Sequence, residues 1–227
     1  MAWFQLDPSS LADRARAAGS PVPTVGASVT RGALGFMLVS VAGFVPWAVF
    51  GRALHQVVGE AGLYAVCALV FLGLTGPLLH RLILGPGSLR RFNQVFGLAF
   101  AAYAVAWTGG WMALARVNDH LASVVGLLAG TALMGGLLCT AFGAREQWLR
   151  VVAALFGLNA LGYFVGGEVT ALLLRHHRPT AMLAWGVCYG LGLGAGLGVA
   201  FHLCQSQARA LLDVPASPVE VAGAVHK

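Results

Sequence analysis

The feature that most constrains this chain is where its charges are missing. Gly32 to Gly51 is a run of 20 residues without one, set between Arg31 and Arg52. Ala61 to Leu79 is another of 19, ending at His80 and Arg81. Phe92 to Ala115, Leu121 to Ala144 and Ala181 to Cys204 are 24 each, and Val151 to Leu174 is a further 24 interrupted only by Glu168. A bilayer core about 30 Å thick is crossed by roughly 20 helical residues. In hydrocarbon only helices or closed barrels satisfy every backbone group. Runs this long, with no alternation of polar and apolar positions, predict an all-α polytopic membrane bundle of six transmembrane helices. Their bounds fall at about 32–51, 61–79, 92–115, 121–144, 151–174 and 181–204.

Composition supports the same solvent. The 227 residues carry 14 basic and 8 acidic side chains, where a soluble domain of that length would carry about 57 charged residues in all. So few charges cannot cover a surface in water. That excludes an ordinary cytosolic enzyme and, despite a net charge of +6, a partner made of nucleic acid. The basic excess reads instead as orientation. With the N-terminus inside, Arg14, Arg16, Arg31, Arg81, Arg90, Arg91, Arg145, Arg150, Arg209 and Lys227 are cytoplasmic, and only Arg52, Arg116, Arg175 and Arg178 are outside. The expectation is a cytoplasmic (inner) membrane protein with both termini in the cytoplasm and anionic lipid beside its inner loops.

No cleavable signal peptide is expected, because the first apolar run begins near residue 32. In the cytoplasmic segment 1–31, Asp7 can cap a helix opened by Pro8 and closed by Gly19. Trp3, Phe4, Leu6 and Leu11 would let that helix lie on the inner interface, the alternative being a loose tail. Residues 206–227 are polar, with Pro215 and Pro218, and read as a flexible cytoplasmic tail. Cys67, Cys139, Cys188 and Cys204 lie in spans without a CxxC pair, as small apolar residues.

Candidate functional residues are few. Glu168 is the only formal charge inside a span, and such residues tend to face a partner, a cavity or a pathway. On the same helix Asn159, Tyr163, Gly166 and Thr170 share one polar, small-sided stripe, with Glu168 on the opposite side. Gly166-Gly167 could break the helix and change that. Gly73, Gly76 and Pro77 interrupt the second span, and Gly76 stands 90 residues before Gly166. Paired interruptions of this kind would fit a weak 3+3 inverted repeat and a transporter site. In the last span Gly186, Gly190, Gly194 and Gly198 form one face of GxxxG steps, and Gly192 with Gly196 another. Close helix packing on two sides explains them best. Phe96, Phe100, Tyr103, Trp107 and Trp111 make an aromatic face on the third span, suited to lipid, a neighbouring helix, a pigment or a quinone.

Other chemistry is weakly signalled. His80 and His202 end two spans on the inner side and form the one speculative haem pair. His55, Glu60, Asp119, His120, His176 and His177 supply metal-ligand types in the outer loops without HxxxH or HxH spacing, so no metal site is assigned. Neither HExxH nor GxSxG occurs, Lys227 is the only lysine, and no cofactor is required by the sequence. By architecture alone the chain resembles small six-span substrate-binding subunits of vitamin permeases. The leading expectation is a small permease or channel-like protein that moves or binds a small molecule or ion, using Glu168, Asn159 and Tyr163. The alternatives are a non-catalytic scaffold within a homo-oligomer or a larger membrane complex, and a haem-bearing redox protein.

Overall fold

The computed structural model describes residues 5–19 and 21–213, and among these every regular element is helical. A short helix α1 (Pro8–Ala17) precedes α2 (Val25–Leu79), a 3-10 turn (His80–Leu82), α3 (Ser88–Leu114) and α4 (Asp119–Ala141). A second 3-10 turn (Arg145–Gln147) then leads into α5 (Trp148–Leu174), α6 (Arg178–Cys204) and α7 (Ser206–Asp213).

Among the described residues five helices are long and apolar enough to cross a membrane, against the six expected, because the first two uncharged runs share α2. The link between them, from Arg52 to Glu60, contains no proline, so helix runs through it on both sides of a single break at Gly59. The chain reverses at one residue. Gly59 has φ 71° and ψ −177°, a backbone region that only glycine enters readily. Beyond it a Cβ on Gly43 would touch Phe71, and one on Gly35 would meet Leu79. The two limbs of α2, 25–58 and 60–79, therefore lie antiparallel against each other. Gly73, Gly76 and Pro77 do not interrupt the second limb, which stays helical to Leu79.

Helix ends follow local chemistry. Thr24 Oγ1 accepts the Ala27 N–H at 3.2 Å, so α2 starts seven residues before the first uncharged run. α4 stops at Ala141, short of the expected 144, because Gly143 turns left-handed at φ 70°. The Ala144 N–H then reaches back to the Cys139 carbonyl at 2.8 Å, a Schellman closure.

One end of the bundle is closed by α1 and α7. Asp7 Oδ2 accepts the Ser10 N–H at 3.0 Å, and Leu6, Leu11, Ala12 and Ala15 of this segment are buried. Hydrogen bonds from Ser10 hold the Asp7 carboxyl down at about 2. Arg16 donates to the Leu211 carbonyl, which brings α1 against α7. Gln205, just before the expected flexible tail, is 1% exposed. Its amide donates to the carbonyls of Leu82 (2.9 Å) and Phe201 (2.7 Å) and accepts the Leu84 N–H (2.8 Å). Residues 206–213 are thus helix rather than loose tail. The rest of that expectation, and those on Trp3 and Phe4, fall outside the described residues.

Candidate functional site: an intramembrane aromatic cavity

The core of the bundle is set by α6, whose glycines serve two neighbours. A methyl at Gly194 would strike the Gly32 carbonyl, and one at Gly198 the Ser28 carbonyl, both on the first limb of α2. On the other side Gly192 meets Leu158 and Gly162 of α5, and Gly196 meets Leu155. Helices in lipid gain little from hydrophobic burial and associate through such close backbone contact.

Away from this contact the helices separate around a cavity of ≈ 710 Å³. Its walls are aromatic. The 3–4 residue spacing on α3 stacks Phe92 on Phe96 (5.2 Å), Phe96 on Phe100 (5.4 Å) and Phe100 on Tyr103 (5.8 Å). Phe100, Tyr103 and Trp107 line the cavity, while Phe96 is buried beside Phe36 and Trp111 Nε1 donates to Asp119 at 3.3 Å. Opposite, Trp185 and Tyr189 of α6 stack at 4.9 Å with planes 7° apart. Phe44 and Trp47 come from the first limb of α2, and Phe71 of the second limb stacks on Phe100 at 4.9 Å. The mouth opens sideways, between Tyr64, Ala68 and Leu72 of the second limb and Ala101 and Thr108 of α3, all exposed.

Polar atoms sit at the back. Asn159, fully buried, donates from Nδ2 to Tyr103 Oη at 3.0 Å. The Tyr189 hydroxyl points at the same oxygen at 3.5 Å, and Tyr163 Oη lies 3.5 Å from Ser123 Oγ. Three buried atoms here have no partner: Ser40 Oγ, Trp107 Nε1 and Asn159 Oδ1. Ser40 and Trp107 line the cavity, whereas Asn159 stands behind Tyr103. Native proteins leave few buried polar groups unpaired, so two on one cavity wall call for an explanation.

The residues singled out in the sequence divide. Tyr163 lines the cavity and Asn159 backs it. Thr170 Oγ1 instead donates to the Ala181 carbonyl at 3.2 Å, and Gly166 seats Trp185. α5 runs through Gly166-Gly167 as regular helix, so Glu168 stays on the far side, exposed and outside the cavity lining. Gly76 packs against Asn93 and Pro77 is exposed; neither belongs to the cavity. His80 Nδ1 lies 3.1 Å from Ser88 Oγ, and His202 Nδ1 is buried without a partner. Among the described residues no three His, Cys, Asp or Glu side chains gather as a metal site. Sequence reasoning missed Ser40, Trp185 and Tyr189. The i, i+4 spacing of Trp185 and Tyr189 was a usable signal, hidden by the glycines around it. It also missed that Cys139 and Cys204 lie with sulfurs 3.8 Å apart.

Fold and site together define a class: an all-helical bundle with membrane-crossing helices and a laterally open aromatic cavity. No family model, no curated protein and no solved structure matches the chain.

Proposed function

We propose that this chain is a small permease-like carrier of an inner membrane that takes a lipophilic small molecule from the bilayer into the aromatic cavity. The observation that carries this reading is the cavity itself, rich in aromatic rings, of ligand size, and open to the side rather than to either aqueous face. Six crossings fit it better than five. α1 and α7 touch, so these two helices share one face, which requires an even number of crossings between them, and the two limbs of α2 supply the extra one. The arginine-rich loops lie on that shared face, and the positive-inside preference then puts both termini in the cytoplasm.

The second limb of α2 is the moving part in this reading. It is hinged at Gly59 and buries only Leu63, Thr75, Gly76 and Leu79, while Leu69 on its outer side is 70% exposed. Swinging it away from α3 would widen the mouth without disturbing the glycine contacts of α6.

The test is occupancy of the cavity by a lipophilic probe in detergent micelles. A Cβ on Gly97 meets nothing within 4 Å, so Gly97→Trp can fill the cavity without a backbone clash. Gly97→Trp should abolish saturable binding of pyrene, whereas Glu168→Gln, outside the cavity, should leave it unchanged. Equal pyrene binding by Gly97→Trp and the unsubstituted protein would sink the proposal.

A further inference from the structure

We infer that the molecule this cavity takes is uncharged and carries a flat conjugated ring bearing a hydrogen-bond-accepting oxygen, a quinone-class head group. The inference rests on the carrier reading above and adds what the ligand must look like.

Charge is excluded by the lining. No Asp, Glu, Lys, Arg or His contributes to it, so an anion would lose its hydration with no cation to replace it, and a cation, which ring faces attract, would leave the Trp107 N–H unpaired. The unpaired groups then set the polarity of the head. Trp107 Nε1–H can only donate, is buried, and has no acceptor. Ser40 Oγ, in a residue 1% exposed, is likewise unpartnered. Tyr103 Oη receives both the Asn159 amide and the Tyr189 hydroxyl, which leaves its own proton free for a further acceptor. The Trp107 N–H can be satisfied only by an acceptor, and the Ser40 hydroxyl and the Tyr103 proton can donate as well. A carbonyl oxygen supplies that acceptor, and a hydrocarbon does not.

Shape points the same way. The rings of Phe44, Trp47, Phe71, Phe100, Trp107 and Trp185 make up much of the wall. Such a wall gains most from a ligand that is itself aromatic, by offset stacking or edge contact, over a saturated body.

The experiment compares 2,3-dimethyl-1,4-naphthoquinone with 2,3-dimethylnaphthalene, the same ring system without oxygens. Both quinone carbons that a thiol such as Cys67 could attack are blocked by methyl groups, so binding stays reversible. Equilibrium binding is measured in one detergent for the unsubstituted protein, for Trp107→Phe with Ser40→Ala, and for Gly97→Trp. The quinone should bind about tenfold more tightly than the hydrocarbon, the effect of one or two net hydrogen bonds. In Trp107→Phe/Ser40→Ala that preference should collapse toward unity while hydrocarbon affinity holds. The Ala at position 40 keeps the Cβ that packs on Gly190, so a folded protein is expected, and retained hydrocarbon binding reports it. Equal binding of the two probes, or a preference that survives the double substitution, overturns the head-group assignment while leaving the carrier reading intact. Failure of both probes to bind the unsubstituted protein overturns the carrier reading itself.

Discussion

α6 and the second limb of α2 are both apolar helices of membrane-crossing length, yet they are held in opposite ways. α6 buries eleven of its 27 residues, seven of them glycine or alanine, and Gly190, Gly194, Gly196 and Gly198 stand directly against neighbouring backbone. The second limb buries four residues and reaches its neighbours through side-chain tips such as Phe71. Contact through backbone leaves no space, and contact through rings leaves a cavity. The difference shows how one membrane bundle can be rigid on one side and accommodating on the other, with no change of secondary structure between them.

The comparison is easiest to break at Gly194. Leucine there would drive its side chain into the Gly32 backbone, where nothing flexible can yield. Gly194→Leu should cost about 3 kcal/mol or more and appear as a large fall in thermal unfolding temperature in detergent; an unchanged temperature would show that this contact is not the rigid one. Next in size is Tyr103→Phe, which strips the buried Asn159 amide of its acceptor. A loss of about 1–3 kcal/mol is expected, and unfolding at the parent temperature would remove Tyr103 from the framework of the cavity.

Smaller effects sharpen the contrast. Gly97, on the open side, has room for a methyl, so Gly97→Ala should stabilise by about 0.5–1 kcal/mol through helix propensity. A destabilised Gly97→Ala would mean that the cavity is closed in solution. Smallest is the Asp7 cap. Its folded value of about 2 lies below the roughly 3.9 of an unfolded aspartate, so its contribution is complete above the unfolded value and is lost as pH falls through the folded one. Acid titration of unfolding should therefore show a weaker decline below about pH 4 in Asp7→Asn than in the parent, and parallel curves would dismiss the cap as a source of stability.

Helical class and membrane solvent were legible because both depend on where charges are absent, and a run of 19 to 24 uncharged residues leaves few alternatives. The α2 reversal was not, because a turn made by one glycine carries no signal among 31 glycines. The candidate site was half legible. Asn159 and Tyr163 stood out as polar residues on one helical face, but most of the cavity beside them is built by α2, α3 and α6. Glu168 drew notice for its charge, yet a regular α5 turns it away from the cavity. Gln205 stood at the edge of the expected polar tail; two hydrogen bonds to distant backbone make it a staple, and pairings across 121 and 123 residues leave no local trace.

The meeting of α1 with α7 has a consequence for biosynthesis. Arg16 and Leu211 stand 195 residues apart, so the ribosome must release every long helix between them before the two can meet. The contact closes a loop that holds the whole bundle, and it therefore forms late, on chains whose helices are already made.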